Sequence, residues 1–234
     1  MAKATGREGE AMNDSRVRLH SVAGSRSFRV LWLLYEMGIE PEVISYDIAK
    51  GDLRNPDFLG ISPAGRVPVL EIDGQVLFES GAITQYMCET RPEVGLAPGV
   101  GEAERPQFLT WVHYAETIGV LIQNLNLQQV FLPKPEMRSP TVIGIEVKRL
   151  AIALKPLERI LAEQDYLLKR GFSAADAMMG FTLESARHYV RFERFPNVTA
   201  YQARLEVREA YQRAMQAEGL QSFYDREFYE VPEA

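Results

Sequence analysis

Glu79-Ser80 and Val67-Pro68 are two pairs whose residue types and placement fit them for chemistry. Glu79-Ser80 directly precedes a run in which Ile83 and Met87 begin a helical face, so Ser80 is a plausible N-cap. A helix N-terminus attracts anions through its free N–H groups and its dipole. A ligand with both an α-carboxylate and an α-amine would satisfy the pair, the carboxylate on Ser80 and the ammonium on Glu79. An ordinary cap beside a solvated charge is the plainer alternative. Val67-Pro68 also reads two ways. Proline lacks a backbone donor and is tolerated where a strand is paired on only one side. A cis Val-Pro bond would instead turn the Val67 N–H and C=O outward, ready to pair with an extended peptide. Pro68 heads a hairpin that would otherwise be interior, which favours the second reading.

Other chemistries find little support. A single cysteine, Cys88, excludes an intrachain disulfide and any Cys-x-x-Cys redox or zinc pair, and it reads as a small buried hydrophobe. His20, His113 and His188 are the three histidines, and their spacing suggests no metal site. No metal is expected. The net charge of −6 argues against nucleic acid as a partner, because neutralising phosphates needs a basic face. No apolar run approaches the roughly 20 residues of a membrane span, and the charged N-terminal stretch lacks the apolar core of a signal peptide. A cytoplasmic protein with no membrane association is expected.

The elements that must position these residues follow from periodicity. Residues 17–22 alternate like a short half-buried strand, and 23–25 break it. Val30, Leu31, Leu34 and Met37 then recur at helical spacing from Ser27, with Gly38 placed as a left-handed C-terminal cap. Residues 42–46 give a second strand, so the opening predicts a right-handed βαβ unit with parallel strands. A looser segment follows, with Gly51, Pro56, Gly60 and a turn at 62–65. Runs at 67–72 and 75–78 joined by Asp73-Gly74 predict a hairpin.

Residues 91–104 carry two prolines and three glycines, a linker composition. Beyond them Trp111, Ala115, Ile118, Ile122 and Leu125 step at helical spacing, and Val147, Leu150, Leu154, Leu157 and Leu161 repeat the rhythm after a Pro-rich break at 133–140. The expected organisation is a flexible tail over 1–16, an α/β domain over 17–92, a linker over 93–103 and an all-helical bundle over 104–234.

Four segments together carry a family resemblance: Gly-Ser-Arg-Ser-Phe-Arg-Val-Leu-Trp-Leu-Leu-Tyr-Glu-Met-Gly at 24–38, Ser-Pro-Ala-Gly-Arg-Val-Pro-Val-Leu at 62–70, Leu-Phe-Glu-Ser-Gly-Ala-Ile at 77–83 and Phe-Ser-Ala-Ala-Asp at 172–176. In that order and at those distances the chain resembles the soluble glutathione S-transferase superfamily, from about residue 17 to about residue 218. The resemblance implies a thioredoxin-like N-terminal domain (βαβαββα) that binds glutathione as co-substrate, and an all-α C-terminal domain that supplies the pocket for a small hydrophobic electrophile. It implies a homodimer whose two-fold axis relates the N-terminal domain of one subunit to the helical domain of the other. Carried over by position, the Val67 backbone would pair with the cysteinyl part of glutathione, with Pro68 cis. Glu79 and Ser80 would hold the γ-glutamyl end, and Arg66 would sit near the glycyl carboxylate, a solvated turn charge being its alternative. Ser173 with Asp176 reads as a structural capping-box variant.

At the catalytic position the chain departs from the best-defined classes. Only a thiolate is nucleophilic, and a thiol ionises near pH 8.5 unless something favours its charged form. Classes that use Tyr place it at the end of the first strand, where this chain has Leu19-His20-Ser21; classes that use Cys place it in the loop where this chain has Ser25-Arg26-Ser27. Ser25 falls in the loop where the serine classes of the family put their hydroxyl, so the resemblance makes it the expected donor to the sulfur, Gly24 being the aligned residue in some of those classes. Ser27, which also suits a helix cap, is its rival, and Arg26 or backbone N–H groups are the alternatives. Trp111, His113 and Tyr114 are further candidates to line the electrophile pocket. The expected activity is conjugation of glutathione to small apolar electrophiles, with peroxide reduction by the same thiolate; a non-catalytic scaffold of the same fold that binds a protein partner is the alternative.

Overall fold

The computed structural model describes residues 16–231, so the tail expected over 1–16 lies outside the described residues except for Arg16. Strands β1 (Arg18–Ser21), β2 (Glu42–Ser45), β3 (Val69–Ile72) and β4 (Gln75–Phe78) form one sheet in the order β2-β1-β3-β4. Helix α1 (Ser27–Glu36) crosses from β1 to β2, which pair in parallel with Leu19 opposite Val43. β3 runs antiparallel to β1 with Leu70 opposite Leu19, and β4 returns antiparallel to β3. The hairpin turns on Asp73 and Gly74 at φ 54° and 72°, the two positive values a two-residue type I′ turn requires.

The first unit is held by local signals that the residues announce. α1 ends in a Schellman motif: Ile39 N–H donates to Leu34 C=O at 2.9 Å and Gly38 N–H to Tyr35 C=O at 3.1 Å. Gly38 takes φ 69° there. Residues Ser27 to Tyr35 of α1 are all buried, because the helix is sandwiched between the sheet and helices of the C-terminal half. That explains its near-continuous apolar run.

One boundary differs from expectation. β3 starts at Val69, not at residue 67, since Pro68 has no N–H for the ladder. The loose segment holds the helix that the βαβαββα order implies, α2 (Pro56–Ile61), started by Pro56 and capped by Asn55, whose Oδ1 accepts from Asp57 N–H at 3.0 Å.

After α3 (Ser80–Thr90) and a short 3₁₀ turn (Pro92–Val94), the chain is helical: α4 (Arg105–Asn126), α5 (Pro140–Ile160), α6 (Ala174–Ala186), α7 (Pro196–Glu206) and α8 (Glu209–Glu218). α4 packs on α5 and α6, and α1 on α6 and α8. The predicted capping box is present: Ser173 Oγ accepts from the Asp176 backbone and Asp176 from the Ser173 backbone. Arg208 ties the two halves, donating through Nε and NH2 to Glu36 at 2.6 and 2.7 Å. Among the described residues no helix is long and apolar enough to cross a membrane.

Candidate active site

Two chambers open between the sheet's α1 and α3 ends and helix α4. The smaller, about 160 Å³, is lined by Pro68, Glu79, Ser80, Glu116 and Val120 among others. The larger, about 490 Å³, takes Ser25 and Arg29 on one side and Phe131, Phe181 and Tyr224 on the other. Arg26, Arg66, Val67 and Gln123 line both chambers, so the two form one continuous cleft with these residues at its junction. All six residues singled out for glutathione and catalysis therefore border it: Ser25 the large chamber, Pro68, Glu79 and Ser80 the small one, Arg66 and Val67 both.

The Val67–Pro68 bond is cis, and Val67 lies outside the ladder, which begins at Val69 opposite Phe78. Glu79 is exposed and takes φ 71°, an uncommon region for a residue with a side chain. That conformation turns the chain abruptly from β4 into α3. Ser80 is not the cap expected of it: it is the first helical residue, Glu79 holds the cap position, and no side chain caps the helix. The buried Ser80 Oγ instead accepts from Arg29 at 3.0 Å, which leaves its own proton to donate.

Ser27 does not make the cap expected of it at the start of α1. Ser27 is the first residue of the helix and fully buried, whereas Ser25 Oγ accepts from Ser27 N–H at 3.2 Å and so satisfies a free donor of the first turn. The Ser25 hydroxyl donates to Ser27 Oγ at 3.0 Å.

Arg29 escaped notice in the sequence. It is 1 % exposed, yet lines the large chamber. Its NH1 donates to Ser80 and to Glu116, and its NH2 donates to Thr182 Oγ1 at 2.7 Å. Among the described residues its Nε has no hydrogen-bond partner. Glu116 also faces Arg26, whose Nε lies 3.3 Å from the carboxylate. Burial works to raise the Glu116 carboxyl, but Arg29 and Arg26 outweigh it and hold the group below its ordinary range. Burial lowers the Arg29 guanidinium against the pull of Glu116, though from so high a value that it stays charged. Gly119 leaves room for the two guanidinium groups: a Cβ there would press on Arg26 NH2 at 3.1 Å and touch Arg29 NH2 at 3.5 Å. A charged residue inside the apolar run 28–34 was the available signal for Arg29.

Trp111, His113 and Tyr114 do not border the cleft. Tyr114 donates to Ala153 C=O on α5 at 3.0 Å and meets Trp111 edge-on, while His113 is exposed. On α4 the cleft is lined instead by Glu116, Gly119, Val120 and Gln123, a separate stripe at helical spacing. Cys88 is buried, and burial pushes its thiol up to about 12, so it is inert rather than nucleophilic.

Comparison with known proteins places this architecture. Residues 15–89 match the glutathione S-transferase N-terminal domain. A glutathione S-transferase of Arabidopsis thaliana is 34% identical over 161 residues, covering 67% of this chain and 74% of the relative. The crystal structure of a glutathione transferase from Methylococcus capsulatus superposes with a TM-score of 0.75 at 30% identity, over 86% of this chain and 98% of that one. A sphingomonad glutathione S-transferase solved in complex with glutathione superposes at 0.73 with 27% identity, over 87% of this chain and 99% of that one. The chain belongs to the soluble glutathione S-transferase superfamily, and its class of activity is that of a glutathione transferase.

Proposed function

We propose that this chain joins the thiolate of glutathione to small apolar electrophiles. One observation carries the reading: the helix α3 N-terminus with Ser80 and Glu79, the Val67 edge and the Ser25-Arg26 loop border a single cleft whose two chambers meet at Val67 and Arg26. The small chamber suits the γ-glutamyl end, its carboxylate on the Ser80 hydroxyl and the first N–H groups of α3, its ammonium on Glu79. The cysteinyl backbone pairs with Val67 as an added strand, and Arg66 takes the glycyl carboxylate. This leaves the sulfur at the junction, next to the loop at the start of α1.

There the Ser25 hydroxyl turns from Ser27 to donate to the sulfur, with Arg26 adding positive charge. The thiol proton passes to water. The thiolate attacks carbon, and the S–C bond forms as the bond to the leaving group breaks and the leaving group departs with its electron pair. On a hydroperoxide the same thiolate attacks the distal oxygen and releases an alcohol, and a second glutathione carries the sulfenic acid to disulfide and water.

Boundaries near 93–103 between the two domains, a cytoplasmic site of action and a homodimer belong to the same proposal. Light scattering should give twice the 26.5 kDa of one chain.

The test is ultraviolet titration of bound glutathione with turnover beside it. Ser80→Ala and Glu79→Ala should weaken glutathione binding. Ser25→Ala should raise the pKa of the bound thiol by about one to two units, the worth of one charge-assisted bond, with turnover recovered at high pH. Unchanged affinity in the first two variants would remove the γ-glutamyl assignment. Tight glutathione binding without turnover on haloaromatics, epoxides or hydroperoxides would favour a non-catalytic scaffold.

A further inference from the structure

The large chamber carries a polar group that thiol activation does not use. Along α4 the cleft-lining positions step from Glu116 through Gln123 to Asn126, a rise of about 15 Å. Asn126 thus lies at the end of the cleft remote from the γ-glutamyl chamber. Around it the wall is aromatic: Phe131, Phe181, Phe223 and Tyr224, with Phe131 and Phe223 edge-on at 5.9 Å between centroids. A π-helical turn, Leu127–Phe131, brings Phe131 into that wall directly after α4.

Asn126 is pinned by two phenols. Its Oδ1 accepts from the Tyr189 hydroxyl at 2.5 Å and from the Tyr224 hydroxyl at 3.2 Å. Both acceptor sites of that oxygen are thereby used, which orients the amide and leaves its N–H₂ as two donors. Among the described residues nothing accepts from that N–H₂, and the Ser185 side chain, hydrogen-bonded to Tyr224, lines the same end of the chamber. Burial raises the Tyr224 phenol, so it stays a neutral donor to Asn126. His188 stacks on the Tyr224 ring with centroids 3.8 Å apart and holds it in place.

A wholly apolar ligand would strip water from these donors and return nothing. An aromatic ligand with an acceptor at the matching end would fill the aryl wall and satisfy them together. We propose that the large chamber selects aryl electrophiles bearing a hydrogen-bond acceptor, such as a carbonyl or nitro oxygen, on the side of the ring away from the reacting carbon, with Asn126 N–H₂ as its donor and with Tyr224 and Ser185 positioning that amide. This specificity rests on the transferase reading above.

The test pairs 4-acetylbenzyl chloride with 4-ethylbenzyl chloride, each kcat/KM divided by the uncatalysed rate with glutathione. The wild-type protein should favour the ketone about tenfold, the selectivity expected of one well-placed hydrogen bond. Asn126→Leu should collapse that ratio toward one. Ser185→Ala and Tyr224→Phe should each lower it about threefold, and they carry the test if Asn126→Leu does not fold. A wild-type ratio near one, or parallel loss on both chlorides in the variants, overturns the inference while leaving the transferase reading intact. A protein that binds no glutathione and turns over neither chloride removes the transferase reading, and this inference falls with it.

Discussion

Two buried polar clusters look alike and behave differently. In the helical half, Asp176 accepts four hydrogen bonds, at Oδ1 from Leu167 N–H and the Tyr201 hydroxyl, and at Oδ2 from the Ser173 N–H and hydroxyl. Its carboxylate is fully buried with both oxygens engaged. At the cleft, Arg29 is as deeply buried, but its Nε has no partner and its Ser80 and Glu116 contacts border the small chamber. Completeness separates them. The Asp176 cluster is closed on itself and fixes the fold, whereas the Arg29 cluster keeps donor capacity beside a cavity sized for a ligand.

Removing the carboxylate of the closed cluster should have the largest effect. Asp176→Ala strands the Leu167 and Ser173 N–H groups and the Tyr201 hydroxyl in a dry interior, and should cost about 4 kcal/mol in urea unfolding. Glutathione affinity of the protein that still folds should not change, because Asp176 borders neither chamber. A stability loss under about 1 kcal/mol, or a weakened glutathione site, would erase the distinction.

What was legible in the sequence follows the same division. The Asp73-Gly74 hairpin, the Gly38 terminus of α1 and the Ser173/Asp176 box all showed in sequence, because each is set by a few neighbouring residues and their backbone angles. α2 was implied by the family resemblance, through the βαβαββα order, but not by periodicity, since its cap, Asn55, sits in a stretch with little apolar repeat. The cap was expected of Ser27 and is made by Ser25, because either spacing suits a helix start and only the burial of Ser27 decides. The lining of the cleft was hardest to see. Glu116, Gly119 and Asn126 matter through their distances to Arg26, Arg29 and Tyr224, residues from opposite ends of the chain, and no local period encodes such a meeting. Arg29 was the one exception that a lone charge in an apolar helix could have flagged.

A third carboxylate lies between the two extremes. Glu218 ends α8 and takes a hydrogen bond from the Gly24 backbone beside Ser25, while its Oε1 has no partner among the described residues. Burial pushes it up to about 8 from its ordinary 4.5, partly countered by the Gly24 bond. With the folded pKa above the unfolded one, the native state holds a proton that the unfolded chain has lost. The stability from this group is complete below about 4.5 and fades as pH rises through about 8. Wild-type thermal stability should therefore fall between about pH 5 and pH 9 by more than that of Glu218→Gln, which keeps an acceptor for Gly24 without the charge. At pH 9 the variant should be the more stable by about 1–2 kcal/mol. Identical pH profiles would show that the carboxylate is not desolvated in solution.

The finest test of the comparison is Glu116→Gln, because it changes one charge at the cleft while preserving the shape. In the native protein Glu116 draws on both Arg26 and Arg29, and so offsets the positive potential that the bound sulfur would feel. Neutralising it should lower the pKa of bound glutathione by about half a unit, and Arg26→Ala should raise it by a similar amount. A purely structural role for the cluster predicts no movement in either titration. Glu116→Gln also leaves Arg29 buried without its counter-charge, so the ligand-free protein should lose about 1 kcal/mol, less than a sealed ion pair would because Glu116 is partly exposed. On the proposed binding mode, glutathione would then supply negative charge near the Arg26 and Arg29 guanidinium groups. Saturating glutathione should raise the melting temperature of the variant by more than it raises that of the wild type, since a ligand stabilises in proportion to what it adds to the native state alone. Equal increments, with an unmoved thiol titration, would place the Arg29 cluster with Asp176 among the closed supports of the fold.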